Sequence, residues 1–266
     1  MRLFAGAMCC ALLAALSAAA ELNKQTVQAF ERYTRATETR LEEKRASGPF
    51  LWTDESPERL RQVREGQIAI EPWSGKGDLE VSSGLIHDWI GAVFLPGVTL
   101  ARTLASVQDY DHHKDAYKPE VIESRLLSRN GNEFNVYMRL RKKKVITVVL
   151  DTEHEVHYFQ LDSTRWYSRS YSTKIAEVEN PNQPDERQLP VGAGHGFLWR
   201  LYSYWRFQER DGGVYVECQA LSLTRNVPLG LGWLIEPIIR QLPRESLANT
   251  LRATRDAALA KAAASR

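Results

Sequence analysis

Cysteine is scarce in this chain, with three among 266 residues. Cys9 and Cys10 lie in an apolar stretch at the amino terminus, so Cys218 is the only cysteine in the rest of the sequence. A single thiol cannot form an intramolecular disulfide. Cys218 alternates with Val216 and Ala220 in a strand pattern, and this context predicts a buried structural thiol rather than a nucleophile.

An excess of charge of one sign is also lacking. Lysine and arginine number 35 and aspartate and glutamate 33, which gives a formal net charge of +2 at pH 7. Residues 1–20 contain Arg2 and no acidic residue, so their removal would lower the charge by one, to +1. Proteins that bind nucleic acid usually carry a clear basic surface. We therefore expect no nucleic-acid partner.

Long apolar runs are absent beyond the first twenty residues. There, Arg2 precedes an apolar stretch over residues 3–16, and small residues follow at 17–20. This order is typical of a cleavable export signal, and the stretch is short for a bilayer span. We expect residues 1–20 to be a signal peptide and the mature protein to be periplasmic or secreted. An uncleaved membrane anchor is the alternative.

Recognisable catalytic and metal-binding motifs are missing as well. The sequence contains no G-x-S-x-G nucleophile elbow. His154 and His157 lie in a strand pattern, where a spacing of three places side chains on opposite faces. Segment 109–115 is rich in aspartate and histidine but lacks the glycine and the closing glutamate of a calcium loop. We interpret it as a solvated rim and expect no metal and no cofactor.

Strong secondary-structure patterns are present. A narrow apolar face among many charges predicts an N-terminal helix over 22–46. Prolines and glycines predict an irregular segment over 50–78, within which Ser56 and Pro57 predict the cap and the first position of a short helix. Alternation and turn residues then predict seven strands, with two short helices after the first. The predicted strands cover 79–95, 120–129, 133–143, 145–160, 164–179, 195–209 and 214–225, and the helices cover 99–107 and 110–116.

The last part of the chain organises the fold. Two alternating segments, 195–209 and 214–225, are joined by an Asp-Gly-Gly turn and predict a long antiparallel hairpin. After a proline-glycine break, apolar residues recur at spacings of three and four from Leu231 onward, which predicts an amphipathic helix. Pro243 is expected to start a second helical segment. Such a helix must bury its apolar stripe against the sheet.

This order of elements resembles the START-like helix-grip superfamily, which includes the polyketide cyclase/dehydrase group, the birch-pollen allergen and steroidogenic lipid-transfer domains. The resemblance covers about residues 79–260 and rests also on the run VECQALSLTRNVPLGLGWLIEPIIRQLPRESLANTLRATRD. It implies an α+β fold in which a curved antiparallel sheet of about seven strands wraps round the C-terminal helix and leaves a cavity. Residues 21–78 would form an N-terminal extension and 261–266 a disordered tail.

The strands and the helix that would enclose this cavity supply candidate ligand-binding residues. An inward Arg–Glu pair could orient a polar head group, and aromatic walls suit a lipid, a sterol or an aromatic guest. Alternation leaves open whether each row faces the cavity or the convex, wet face of the sheet. The candidates are Tyr137, Arg139, Trp199, Arg200, Tyr202, Tyr204, Glu217, Trp233 and Ile238.

Three functions fit these features. A binding or carrier module for a hydrophobic small molecule or lipid is preferred, because no convincing catalytic set is evident. A cyclase-type enzyme acting on a polyketide-like ligand would need titratable groups that converge in the cavity with perturbed pKa values. A structural envelope protein would fill its core with side chains, whereas the other two need a cavity of at least about 300 Å³.

The basic turn at 139–144 is a further surface feature. Lys142, Lys143 and Lys144 follow Arg139 and Arg141 there. We interpret this turn as a solvated hairpin tip, with peripheral contact to a membrane surface as the alternative. The sequence predicts no particular oligomeric state.

Overall fold

The computed structural model describes residues 22–143, 147–226 and 232–264, with the side chains of the last range described over 240–263. The expected signal peptide at 1–20 and the start of the predicted helical stripe at Leu231 lie outside the described residues. Within the described ranges, no helix combines the length and the hydropathy needed to cross a bilayer.

Five α-helices, ten β-strands and two short 3-10 helices make up the described ranges. The α-helices are α1 (Lys24–Ser47), α2 (Pro57–Arg64), α3 (Leu100–Val107), α4 (His113–Ala116) and α5 (Gly232–Ala264). The strands are β1 (Ala69–Pro72), β2 (Asp78–Val81), β3 (Gly84–Pro96), β4 (Val121–Asn130), β5 (Glu133–Lys143), β6 (Thr147–Gln160), β7 (Arg165–Glu179), β8 (Arg187–Gln188), β9 (Arg200–Arg210) and β10 (Gly213–Arg225). The 3-10 helices are Trp52–Glu55 and Tyr110–His112.

All ten strands belong to one curved antiparallel sheet. Its order is β1-β3-β10-β9-β7-β6-β5-β4, with β2 beside β3 and β8 beside β7. Strands β4, β6 and β9 begin at the edge where β5, β7 and β10 end, and we call this edge the mouth edge. Asp211 and Gly212 both have positive φ, which suits the type I′ turn that joins β9 to β10. Each of the seven predicted strands corresponds to one of the long strands β3 to β7, β9 and β10, while β1, β2 and β8 are short strands that were not predicted as separate elements.

Helix α5 lies against the concave face of the sheet. Leu247, Leu251 and Ala258 are buried there in the main core. A Cβ atom on Gly91 of β3 would lie 2.6 Å from Leu251 Cδ1, so the glycine allows this close approach. The helix-grip arrangement implied by the resemblance is confirmed by this sheet order and by the position of α5.

Helix α5 differs from its prediction in two places, at Pro243 and at its C-terminal end. It runs without a break through Pro243, which was predicted to start a new segment. A proline inside a helix costs one hydrogen bond, but packing of the apolar stripe stabilises the helix on either side. It also continues to Ala264, and Ala262 is buried in the core. Residues 261–264 are therefore helical rather than part of a disordered tail.

Helix α1 covers the convex face of the sheet. Asn23 caps it by accepting a hydrogen bond from Thr26 N at 2.9 Å. Phe30 is buried and its ring packs edge-on against Tyr202 of β9, with centroids 5.1 Å apart. This face was expected to be wet, and the extension makes it a second buried layer.

The segment 50–78 is more ordered than predicted. It contains the Trp52–Glu55 turn, helix α2, strand β1 and the start of β2. Residues predicted as one strand from 79 form the β2–β3 hairpin instead, because the chain reverses at Ser83, which has a φ of 57°. Serine is an uncommon residue at positive φ, so a reversal at this position was not predicted.

Candidate ligand-binding cavity

A cavity of about 460 Å³ lies between the concave face of the sheet and helix α5. This volume falls within the range of about 300–1,000 Å³ that is usual for ligand pockets. Its walls are largely apolar, with Val136 and Met138 on β5 and Trp205 and Phe207 on β9. A core filled by side chains, as a structural protein would have, predicts a much smaller space.

One row of each of the strands β5, β6, β7, β9 and β10 faces this cavity. Cys218 belongs to the inward row of β10, and it is buried as predicted. Burial raises the pKa of its thiol well above the ordinary value, so the group is a neutral thiol. The other inward residues on the central strands are Leu140, Val148, Leu150, His154, Val156, Tyr158, Ser168, Ser170, Leu201, Ser203, Ala220 and Ser222.

The predicted ligand-binding residues lie elsewhere. Trp199 precedes β9 and packs with Phe30 and Leu223 in a cluster under α1. The side chains of Trp233 and Ile238 lie outside the described residues. The remaining candidates belong to the outward rows of their strands, so none of the described ones lines the cavity. These outward residues are Tyr137, Arg139, Arg200, Tyr202, Tyr204 and Glu217.

Two of the three predicted charged candidates, Arg139 and Glu217, form ion pairs on the convex side. Arg139 binds the Asp151 carboxylate through Nε at 2.7 Å and Nη2 at 3.0 Å. Glu217 pairs with Arg206 at 3.1 Å and is fully buried. A buried charge needs a partner, and the outward row supplies it without a ligand. The inward Arg–Glu pair expected from the sequence is therefore corrected to a structural pair beneath the extension.

Charged residues line the cavity only near the mouth edge. Lys142 Nζ contacts Glu120 Oε1 at 2.5 Å and Ser246 Oγ at 2.7 Å, which links β5 to α5. Lys118 and Arg141 are exposed, whereas Arg225 at the end of β10 is half-buried. All five charged lining residues of the described ranges thus retain contact with solvent. Lys144 of the basic turn lies outside the described residues.

A loop closes part of this mouth. Glu177, at the end of β7, accepts hydrogen bonds from His195 N at 2.8 Å and Phe197 N at 3.1 Å. His195 Nδ1 also contacts the same carboxylate at 2.8 Å. These contacts hold Phe197 and Leu198 against the cavity. The sequence placed 195–199 in a strand, so this role was missed; the nearby glycines were its only signal.

The polar groups inside the cavity are uncharged. Burial lowers the pKa of His154 to about 4 and that of His113 to about 4, so both imidazoles are neutral at pH 7. Tyr110 and Tyr158 share a hydrogen bond of 2.9 Å between their hydroxyls, and burial raises both pKa values. Tyr117 bonds Thr254 Oγ1 at 3.0 Å, and burial raises its pKa to about 12.

The aspartate- and histidine-rich segment 109–115 forms no shared ligand set. Asp109 contacts His112 Nδ1 at 2.7 Å and accepts a hydrogen bond from Lys261, while Asp111 accepts one from Leu126 N at 2.9 Å. His113 turns inward and is the only buried histidine or aspartate of the segment. The described residues contain no group of three or more potential ligands placed to hold a metal ion.

His154 and His157 point to opposite faces of β6, as alternation predicts. His154 faces the cavity and is 3 % exposed. His157 faces outward, where its Nδ1 lies 3.6 Å from Glu133 Oε1. The two rings therefore cannot share one ligand, and only His154 is available to a molecule in the cavity.

Comparison with known proteins identifies similar folds. No family model matches this chain, and no curated protein matches it. A STAR-related lipid transfer protein from Xanthomonas axonopodis aligns over 69% of this chain and 99% of its own, at 16% identity and a TM-score of 0.45. Human STARD10 aligns over 77% of this chain and 80% of its own, at 14% identity and a TM-score of 0.44. The Zhui aromatase/cyclase from Streptomyces sp. R1128 aligns over 65% of this chain and 93% of its own, at 13% identity and a TM-score of 0.41. Similarity at this level defines no ligand or activity for this chain.

Proposed function

We propose that this chain is an exported carrier that holds a hydrophobic small molecule or lipid between its sheet and helix α5. One observation supports the proposal above others: a largely apolar cavity of about 460 Å³ contains only uncharged polar groups in its interior. A hydrophobic ligand gains free energy from burial in such a space, and isolated polar groups fix its orientation.

The pattern of pKa values supports binding over catalysis. Acid–base catalysis usually relies on neighbouring groups whose pKa values are shifted apart, so that one donates and the other accepts a proton near neutral pH. In this cavity, burial shifts each perturbed histidine, tyrosine and cysteine toward its neutral form. Groups of this kind stay in their neutral forms and exchange protons with a ligand poorly at pH 7.

A cyclase-type enzyme is the second candidate. It is favoured by one observation, which is that the buried His154 faces the cavity with a ring nitrogen that has no partner within the described ranges. A polyketide-like ligand bound beside this nitrogen would be within reach of a weak base. A cyclised product recovered after incubation with a linear polyketide-like substrate would move the assignment to this candidate.

Native mass spectrometry of the mature protein from its own host tests the carrier proposal. The protein is analysed intact, and its organic extract is analysed separately. We expect a discrete additional mass that disappears on extraction and reappears in the organic phase. A clean apo mass, together with no uptake from a lipid extract of the host, would contradict the proposal.

A further inference from the structure

His154 occupies a deep position in the cavity. It lies six residues along β6 from Val148, which lines the cavity near the mouth edge. At roughly 3.3 Å per residue, this separation is about 20 Å along the strand. The Nε2 atom is buried and has no hydrogen-bond partner among the described residues. A buried polar atom without a partner is costly, so this nitrogen gains free energy by binding a polar group of a ligand.

The local strand geometry places His154 beside free hydroxyl groups. The register of β6 and β7 shifts between Glu153 and His154, so that His154 pairs with Ser172 and Ser170 is its diagonal neighbour. Ser170 in turn pairs with Ser203 of β9. The Ser168 and Ser170 hydroxyls line the cavity and make no hydrogen bond to the described part of the chain. Bulges of this kind often redirect side chains at functional sites.

The charge distribution limits what can bind at this depth. The charged lining residues of the described ranges are all partly exposed near the mouth edge, and none lies beside His154. A carboxylate, phosphate or ammonium group buried here would have no opposite charge to offset its desolvation. A neutral imidazole and serine hydroxyls can instead both donate and accept hydrogen bonds.

We propose that His154 is the deep polar anchor of the cavity and that it binds an uncharged hydroxyl or carbonyl group of a hydrophobic ligand. This inference rests on the proposed carrier function and specifies its ligand class. The ligand enters with this neutral polar group leading, and Ser168 and Ser170 complete its hydrogen bonds. Any charged group of the same ligand stays at the mouth edge.

Binding of three matched aromatic probes tests this assignment. The probes are 2-naphthol, 2-methylnaphthalene and 2-naphthoate, which place a hydroxyl, a methyl or a carboxylate on the same ring. The proteins are the wild type, His154→Phe, and the control His157→Phe on the outward face of the same strand. We expect His154→Phe to lower the affinity for 2-naphthol relative to 2-methylnaphthalene by about tenfold, as loss of one buried hydrogen bond predicts.

The outcomes separate this inference from the carrier proposal. If the wild type binds none of the three probes, the carrier proposal fails. If it binds 2-naphthol and 2-methylnaphthalene but His154→Phe leaves their affinity ratio unchanged, only the anchor assignment fails. If His154→Phe also lowers the affinity for 2-naphthoate about tenfold, an anion binds at His154 and the assignment of an uncharged ligand group is overturned. His157→Phe is expected to leave all three affinities within about twofold.

A measurement on the wild type covers the case in which His154→Phe does not fold. The nitrogen chemical shifts of the His154 ring are followed by NMR during titration with each probe. We expect 2-naphthol to move the Nε2 resonance and 2-methylnaphthalene to leave it nearly in place, because only the hydroxyl can form a hydrogen bond. Equal shifts with both probes would overturn the assignment.

Discussion

Glu217 joins the sheet to the N-terminal extension. Its carboxylate accepts hydrogen bonds from Trp52 N at 2.9 Å, Thr53 N at 2.8 Å and Thr53 Oγ1 at 2.9 Å. Arg206 Nε lies 3.1 Å away on the neighbouring strand. Glu217 is fully buried. Its removal would leave the groups that it binds buried and without a partner.

Replacement of Glu217 by alanine should therefore destabilise the protein strongly. We expect a loss of about 3–5 kcal/mol in the free energy of unfolding, measured by urea denaturation. Glu153→Ala removes an exposed carboxylate that lies 3.4 Å from Lys174 and serves as the control, with an expected loss below about 1 kcal/mol. Equal losses in the two variants would contradict a buried structural role for Glu217.

Asp88 gives the convex layer a pH dependence. Burial raises the pKa of Asp88 from 3.8 to about 6, although Tyr33 OH donates to its carboxylate at 2.9 Å and Gln219 Nε2 at 2.8 Å. Because the folded-state pKa is above the unfolded value, its stabilising contribution is complete below about pH 3.8. This contribution is lost as the pH rises through about 6.

Asp88→Asn should remove this dependence. From pH 4 to pH 7, we expect the free energy of unfolding of the wild type to fall by about 1–3 kcal/mol relative to that of the variant. Urea denaturation of both proteins at several pH values measures the difference. Asp256→Asn, at an exposed site on α5, is the control and should run parallel to the wild type. Parallel curves for Asp88→Asn would show that Asp88 does not bind a proton on folding.

Individual residues also show where prediction from sequence stops. Period-two alternation correctly divided β9 and β10 into two rows, and it correctly separated His154 from His157. It could not tell which row faces inward, because aromatic and charged residues occur in both. Tyr202, Tyr204 and Glu217 were predicted to line the cavity, but they pack beneath α1 and the Trp52–Glu55 turn. Only the position of a distant segment decides this.

At the scale of elements, α1 stabilises the sheet from its convex side. Besides Phe30, its Glu38 accepts hydrogen bonds from Tyr171 OH at 2.7 Å and Tyr204 OH at 2.9 Å. Glu42 pairs with Arg169 at 2.8 Å. The helix thus contacts β7 and β9 along much of its length, and it should contribute to the same cooperative unfolding unit.

Phe30→Ala tests this contribution. We expect a loss of about 3–5 kcal/mol in the free energy of unfolding, because a large buried side chain is removed and a cavity remains. Arg35→Ala, on the exposed side of the same helix, should change the stability by less than about 0.5 kcal/mol. A small effect at Phe30, equal to that at Arg35, would mean that α1 is not packed as described.

The long strands and the two short helices after the first strand were predicted well, but the short strands were not. The hairpins from β4 to β7 and the β9–β10 pair have strong alternation and clear turn residues, so their bounds lie close to those expected except at the start of β9, which was predicted at 195 and lies at Arg200. Strands β1 and β2 are four residues each and exist because β3 supplies their hydrogen-bond partners. A strand of that kind depends on its tertiary neighbour, which local sequence does not encode.

At the scale of the whole molecule, the cavity results from the curvature of the sheet and the placement of α5. The sequence predicted that such a space would exist through the resemblance to helix-grip proteins. Its volume depends on which side chains meet across it, such as Trp205 from β9 and Leu247 from α5. The size and polarity of the space could therefore be obtained only from the folded arrangement.

The central claim is that a hydrophobic ligand occupies this cavity, and a blocked cavity tests it most directly. Ser170→Phe places a large side chain at the centre of the inward face, where the hydroxyl has no partner in the described ranges. Thr173→Phe makes a similar change at an exposed site on the same strand. Thermal unfolding first establishes that both variants are folded.

The measurement is the affinity of each protein for the fluorescent apolar probe N-phenyl-1-naphthylamine. We expect saturable binding to the wild type and to Thr173→Phe with affinities within about twofold, because an exposed substitution leaves the cavity unchanged. Ser170→Phe should weaken binding by at least about tenfold, since the phenyl ring occupies cavity space that the probe would fill. Equal binding by folded Ser170→Phe and wild type would contradict the claim that the ligand lies between the sheet and α5.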